Sequence, residues 1–325
     1  MRPSQDLPDY VMQCAQLAAA LEVSGYPKPG NVHRTADFDD LSYEDFLSGS
    51  IALGPPIRRL ARRALYCSKR QSLSHLQIGR AIKEAVDSAT TWQKGGNTHL
   101  GMILLFTPLA AAAGICRSVE AINPRNLRRA VGEAINATTV DDASLTFSAI
   151  SAATPHTLGR LSSAAAPDLS KTPNNDEITL LDAMRYSARW DGIASEWSTN
   201  FERVFIAGFP VLVEALAETR NANNAVVHTF LFLLSFFPDT FVARKAGLKK
   251  TPYIQDAVRI GIEETAWVKT MAAKALKVGG PATPEGKAIT LELDDRLRRE
   301  GLNPGTTADI TGASLMVALL CGWRF

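Results

Sequence analysis

Apolar residues recur along this chain at the spacing of helical turns. Ile78, Ala81, Ile82, Ala85, Val86 and Ala89 form one stripe, and Leu127, Ala130, Val131, Ala134 and Ile135 repeat it. The same pattern predicts helices over Val11–Leu21, Tyr43–Leu53, Leu100–Cys116, Ala143–Ala152, Leu180–Trp190, Phe201–Thr219, Ala225–Phe237, Ile254–Leu276 and Thr307–Cys321. No alternation of apolar and polar residues lasts long enough for a strand. Leu100–Cys116 and Val226–Phe237 are apolar on nearly every side, the mark of buried helices. The first contains Thr107 and Pro108 and, like the second, is short for a membrane span. The expected fold is all-α: a single multi-helix domain over residues 1–325 with buried central helices.

Polar punctuation separates these helices. Gly25–Asn31 reads G-Y-P-K-P-G-N and cannot be helical, since each proline fixes its own φ and restricts the residue before it. Residues 166–177 and 277–287 are polar with proline and glycine, and are expected to be surface connections.

Composition narrows the classes of function. With 35 Lys+Arg against 33 Asp+Glu the formal charge is only +2, which argues against a nucleic-acid binder. Cys14, Cys67, Cys116 and Cys321 are far apart, with no C-x-x-C pair, so neither a zinc site nor a disulfide framework is expected. The first ten residues are polar and carry Asp6 and Asp9, unlike a secretory leader. The expectation is a cytoplasmic protein with no membrane and no nucleic-acid partner. A homodimer through an apolar helix such as Ala225–Phe237 stays open.

Four polar islands carry the candidate chemistry. Lys28-Pro29-Gly30-Asn31-Val32-His33-Arg34 offers cations, an amide and an imidazole in a stiff loop suited to a phosphate; a proline turn with solvated charges is the plain alternative. Gly95-Gly96-Asn97-Thr98-His99-Leu100-Gly101 precedes an apolar helix, whose N-terminus suits an anion, with Asn97 or Thr98 as its cap. Thr138-Thr139-Val140-Asp141-Asp142 presents adjacent carboxylates that could hold hydrated Mg²⁺, although Asp142 could equally be a helix-start charge. Asn303-Pro304-Gly305-Thr306-Thr307-Ala308-Asp309 opens a further helix, with Thr306 and Asp309 spaced as a capping box. Asp239 with Arg244 is a second-choice pair after an apolar helix.

Taken in order, Lys28–His33, Asn97–Gly101 and Asn303–Asp309 resemble the triphosphoribosyl-dephospho-CoA synthase family, with support from Ser50–Pro55 and Asp239–Gly247. The resemblance runs from about Glu22 to Leu320. It implies an all-helical enzyme that joins ATP to 3′-dephospho-CoA. The 2′-hydroxyl of the acceptor ribose attacks C1′ of the ATP ribose, adenine leaves, and the triphosphate stays. On that resemblance Asp142, Asp309 and His33 are the candidates for proton transfer. Lys28, Asn31, Arg34, Asn97, Thr98, His99, Thr306 and Thr307 are the candidates for nucleotide contacts, and Asp141, Asp142 and Asp309 for Mg²⁺. Phe201–Phe205 precedes Gly208-Phe209-Pro210 without the glycine-rich segment of the better-known branches. Asn31 and Asn303–Thr307 lean toward a branch found with methanopterin-type one-carbon cofactors. A different acceptor, an all-α Mg²⁺-dependent N-glycosidic hydrolase and a non-catalytic nucleotide-binding subunit are the competing functions.

Overall fold

The computed structural model of the chain describes residues 6–93, 96, 98–153 and 178–324. Among them every regular element is helical: the fold is all-α. The helices are α1 (Leu7–Ser24), α2 (Tyr43–Ala52), α3 (Gly54–Lys69), α4 (Ile78–Thr91), α5 (Leu100–Ile115), α6 (Pro124–Asn136), α7 (Val140–Ala153) and α8 (Leu180–Ser187). They continue with α9 (Gly192–Ser198), α10 (Phe209–Thr219), α11 (Ala222–Phe236), α12 (Thr240–Gly247), α13 (Ile254–Glu264), α14 (Ala266–Lys277), α15 (Pro284–Glu300) and α16 (Gly305–Leu320).

α5 and α16 are the buried centre. Nearly every side chain on both is out of water, because neither has a polar face to turn outward. Their few hydroxyls are consumed locally. Thr107 donates to the Ile103 carbonyl at 2.9 Å, and Thr311 and Ser314 donate to the carbonyls of Thr307 and Ile310 at 2.8 Å each. α1 packs on α3 and α16, while α3 and α6 flank α5. Trp197 Nε1 donates to the Leu104 carbonyl at 3.1 Å and ties α9 to α5. A second apolar cluster joins α11, α14 and α15 through Phe230, Leu231, Ala272, Leu293 and Leu297. α12 and α13 touch backbone to backbone. A Cβ on Gly247 or Gly261 would lie within 2 Å of a facing carbonyl oxygen, at 1.8 Å and 1.9 Å respectively.

The hydrophobic pattern predicts most of these helices, and the differences have local causes. Ile254–Leu276 breaks at Thr265, whose hydroxyl donates to the Gly261 carbonyl at 2.6 Å and ends α13. The Phe201–Thr219 stretch opens with a π-helical turn over Arg203–Gly208. Residues 277–287 are not all connection, since Pro284 already begins α15. The pattern does not single out α3, although this helix buries Ile57, Leu60, Ala61 and Ala64 on one face and carries arginines on the other. The expected connection over residues 166–177 lies outside the described residues. Among the described residues no single helix is long and apolar enough to cross a membrane, and all four cysteines are free.

Asp142 is a fold residue. Its Oδ2 accepts from the Thr139 N–H at 2.9 Å and the Thr139 hydroxyl at 3.1 Å, closing the start of α7. Its Oδ1 accepts from the Gly79 N–H at 2.8 Å, an otherwise orphaned donor in the first turn of α4. The two helices meet so closely there that a Cβ on Gly79 would lie 2.4 Å from the Asp142 Cα. Asp142→Ala is therefore expected to cost about 2–3 kcal/mol through unpaired helix-start donors. Asp142→Asn, which keeps an acceptor, should recover part of that. Gly79→Ala should destabilise by wedging α4 from α7. Urea-unfolding midpoints of the three variants test this, and an unshifted Asp142→Ala midpoint would contradict it.

Candidate active site

Two distant islands are built onto each other. Gly30 sits at φ +69°, and a Cβ there would strike Pro304 at 2.8 Å and Leu297 at 2.9 Å, so this turn requires glycine. Its N–H donates to Asp294 Oδ1 at 2.7 Å, and Asp294 also takes Arg298 Nε at 2.9 Å. Arg298 in turn holds the Asn31 carbonyl, and Asn31 Nδ2 reaches the Pro304 carbonyl at 3.3 Å. The 25–31 loop is thereby latched to α15 and to the start of α16.

The start of α5 supplies the next wall. Its N-cap residue is His99 rather than Asn97 or Thr98, and the His99 side chain makes no capping bond. Instead the ring lies between Thr98 Oγ1 (2.8 Å) and Ser50 Oγ (3.2 Å). Gly49 makes room, since a Cβ there would stand 2.6 Å from His99 Nδ1. Burial, with Lys28 nearby, pushes the His99 imidazole down to about 3, which favours the neutral ring at physiological pH.

Charges gather beneath this wall. Lys28 is 1% exposed and ion-paired to Glu22, 3% exposed; its Nζ also donates to the Glu22 carbonyl at 2.9 Å. Burial lowers the Lys28 ammonium and raises the Glu22 carboxyl, each opposed by the other's charge. Asp309, one turn into α16, fills the space left by the missing side chain of Gly101: a Cβ there would lie 2.0 Å from its Oδ2. Among the described residues no hydrogen bond supports its carboxylate. Burial, followed by Glu22, Asp239 and Asp191, holds it well above the usual carboxylate range, and Lys28 only partly offsets this.

Further helix starts close the ring. Asp191 Oδ1 caps α9 through the N–H groups of Ile193 and Ala194, both at 2.9 Å. Asp239 Oδ1 caps α12 through Phe241 and Val242, while its Oδ2 accepts the N–H and hydroxyl of Thr307, both at 2.7 Å. Thr240 Oγ1 accepts from the Gly192 N–H at 2.9 Å and lies 3.2 Å from Thr306 Oγ1, so α9, α12 and α16 begin side by side. Arg244 stacks over Phe241 at 4.9 Å with Asp191 and Asp239 as its nearby charges.

These elements enclose a cleft of about 200 Å³. That is below the roughly 300–1,000 Å³ of a drug-sized pocket, so a nucleotide-sized ligand would extend beyond the mouth. Glu22, Thr98, Gly101, Arg244, Thr306 and Asp309 line its polar part, and Leu104, Ile150, Met184 and Ile193 its apolar part. A larger hollow of about 740 Å³ near the chain ends, walled by Tyr10, Arg117 and Arg324, has none of the polar islands in its lining.

Of the residues predicted from sequence, Asn31, Thr98, Thr306 and Asp309 line the cleft, while Lys28, His99 and Thr307 are buried behind it. Thr306 and Asp309 form no capping box; the N-cap position of α16 is Pro304. His33 is turned away, with Nε2 3.5 Å from Asp294 and Nδ1 3.1 Å from Thr35 Oγ1. Arg34 is exposed and stacks over Tyr26 at 5.6 Å. Asp141 is exposed on α7 and Asp142 is spent on its caps, so neither reaches the cleft. Asn97 lies outside the described residues. Sequence reasoning misses Glu22, Met184 and Ser187, each an unremarkable position on a helix.

Comparison with known proteins agrees with this picture. The family description "ATP:dephospho-CoA triphosphoribosyl transferase" matches residues 8–324. A 2-(5″-triphosphoribosyl)-3′-dephosphocoenzyme-A synthase of Klebsiella pneumoniae is 25% identical over 307 residues, covering 92% of this chain and 87% of its own. A protein of the same name from Pectobacterium atrosepticum is 26% identical over 300 residues, covering 90% and 83%. The crystal structure of an Archaeoglobus fulgidus protein assigned as a triphosphoribosyl-dephospho-CoA synthase superposes with a TM-score of 0.60 at 23% identity. It covers 86% of this chain and all of that one, and so shares the fold. A match that runs almost from end to end places this chain in the ATP:dephospho-CoA triphosphoribosyl transferase family.

Proposed function

We propose that this chain transfers the 5-triphosphoribosyl group of ATP to the ribose 2′-hydroxyl of 3′-dephospho-CoA and releases adenine. The observation that carries the reading is the convergence of three of the family's polar islands, from Asn31 at one end of the chain to Asp309 at the other, on one cleft around a carboxylate with no hydrogen bond among the described residues. The C1′–N9 bond of ATP breaks as the acceptor oxygen bonds to C1′. The hydroxyl proton goes to Asp309, and the departing adenine takes one proton from solvent, to which Asp309 later returns its own. Such a displacement develops positive charge on the sugar, which nearby carboxylates stabilise. The triphosphate must be held without being cleaved. The first turns of α5 and α16, which face the cleft, and the Arg244 guanidinium suit that task.

The residues fit Mg²⁺ only as an ion carried by the nucleotide. Among the described residues no three His, Cys, Asp or Glu side chains converge on a metal position. One carboxylate plus phosphate oxygens is enough for Mg²⁺. Asp191, which lines the cleft and spends only Oδ1 on its cap, is the residue that would hold it. When bound, the ion would neutralise triphosphate charge. In this reading the chain acts in the cytoplasm, and as one helical domain, since α1, α5, α8, α9, α12 and α16 all contribute to the cleft.

Adenine release is expected only with ATP and dephospho-CoA together, with an adduct of the summed mass less adenine. Release with water alone would indicate a hydrolase instead. Asp309→Asn should lower kcat by about 10²–10⁴. The acid limb of the wild-type rate profile should lie above the ordinary carboxylate range, because the base form appears only above the raised folded-state value. The same shift fixes a stability effect. The folded state binds this proton more tightly than the unfolded state, so stability falls as pH rises from the unfolded value through the folded one. Asp309→Asn removes that loss, and its melting temperature at pH 7–8 should equal or exceed that of the wild type. An active Asp309→Asn enzyme would remove the proposed base. Arg244→Ala should raise KM for ATP by about 10- to 100-fold, the effect of deleting a charge-assisted hydrogen bond to phosphate. Steady-state kinetics with dephospho-CoA saturating would measure it.

A further inference from the structure

We infer that Ser187 and Asn303 select the purine base of ATP, a deepening that rests on the transfer reading above. The starting point is an irregularity in hydrogen bonding. Buried polar atoms are nearly always paired, and one left unpaired costs about 1–3 kcal/mol. Many buried hydroxyls on helices of this fold turn back to the carbonyl four residues earlier: Ser50 to Phe46, Thr107 to Ile103, Thr229 to Ala225, Thr290 to Gly286 and Ser314 to Ile310. Ser187, at the end of α8 and only 1% exposed, does not. Among the described residues its Oγ is buried without a partner, and so is the Oδ1 of Asn303. Both residues line the cleft, whereas Thr146, another buried hydroxyl without a partner, does not.

The surroundings indicate the missing partner. Ser187 follows Met184 by one helical turn, and Ile150, Ile193 and Leu104 supply the remaining apolar wall. Apolar walls with a few polar groups suit a flat heteroaromatic ring. A carboxamide such as that of Asn303 offers one acceptor and one donor, which matches the 6-amino donor and N7 acceptor of adenine in a bidentate pair. A 6-oxo purine presents two acceptors there and leaves Oδ1 unpaired. The Ser187 hydroxyl, able to donate or accept, would complete the polar edge of the ring. A donor at N7 also suits the reaction, because it stabilises the electrons that adenine carries away when the C1′–N9 bond breaks.

The test is titration calorimetry of the full chain, without acceptor, using ATP, ITP and, separately, dephospho-CoA. The wild type should bind ATP at least about tenfold more tightly than ITP. Ser187→Ala, a nearly isosteric change, and Asn303→Leu, which removes both amide functions without adding a charge, should each weaken ATP by roughly tenfold. Asn303→Leu should weaken ITP by less than about threefold, because ITP never paired with the acceptor, and dephospho-CoA should be unaffected by either change. Equal losses for ATP and ITP in Asn303→Leu, no loss of ATP in Ser187→Ala, a wild type indifferent to the base, or a loss that falls on dephospho-CoA instead would each overturn the assignment. If base selection holds but no adenine is released with any acceptor, the transfer reading fails and this one stands.

Discussion

The close approach of α5 to α16 governs what this molecule can do. Gly101 lets the two helices meet at the level of Asp309, so that a carboxylate stands where any other residue would have placed its own Cβ. Glu22, Asp191 and Asp239 are the acidic groups that act on this point, and each has a protein partner. Glu22 holds Lys28, Asp191 caps α9, and Asp239 caps α12 while gripping Thr307. Among the described residues Asp309 has neither a hydrogen bond nor an ion pair, and a half-buried, desolvated anion without either is costly. The fold bears that cost at one position and relieves it at the others. This is the arrangement expected where a proton must be taken up rather than permanently excluded.

Helix starts show the same division of labour. Those of α9 and α12 are closed by their own N-cap residues, Asp191 and Asp239. The N-cap residues of α5 and α16, His99 and Pro304, make no such bond, and both helices begin at the cleft. A carboxylate cap satisfies donors but also neutralises the positive end of the helix. At α5 no carboxylate stands at the N-cap, so more of that potential stays available to an anion, whereas in the first turn of α16 the Thr307 N–H is taken by Asp239. The Asp239 clamp on Thr307 then fixes the angle between α12 and α16, so that a structural carboxylate orients the helix that carries the reactive one.

How much is legible in the sequence follows the range of the forces involved. Buried helices such as α5 and α16 are evident because hydrophobic patterning is local, and so is the importance of Lys28–Asn31 and Asn303–Asp309, whose glycines and prolines require special backbone. Which carboxylate reaches the cleft is not legible. Asp141-Asp142 and Asp309 look alike as acidic residues near helix starts, yet Asp142 is spent on the Gly79 N–H, 63 positions away. Glu22 reads as a solvated charge on α1 until the 25–31 loop folds back and brings Lys28 onto it. His33 looks catalytic because it follows the loop motif, but Asp294 lies 261 positions on and no local spacing announces it. Each of these differences concerns a polar group whose partner is remote in sequence.

That last pairing also explains why helices that never line the cleft still bear on it. α15 belongs to the apolar cluster with α11 and α14, yet its Asp294 and Arg298 hold Gly30 and Asn31 in place. Arg298 joins the carbonyls of Asn31 and Asp37 to the Asp294 carboxylate. These charge-assisted bonds to α15 hold the loop together with the Lys28–Glu22 pair and the bonds between Tyr26 and Asn223. Loosening the α11–α14–α15 cluster would therefore move Asn31 and, behind it, Lys28, the cation that lowers the proton affinity of Asp309. Packing remote from the cleft thus sets the electrostatics within it, and the apolar helices define the charge of the site as much as its shape.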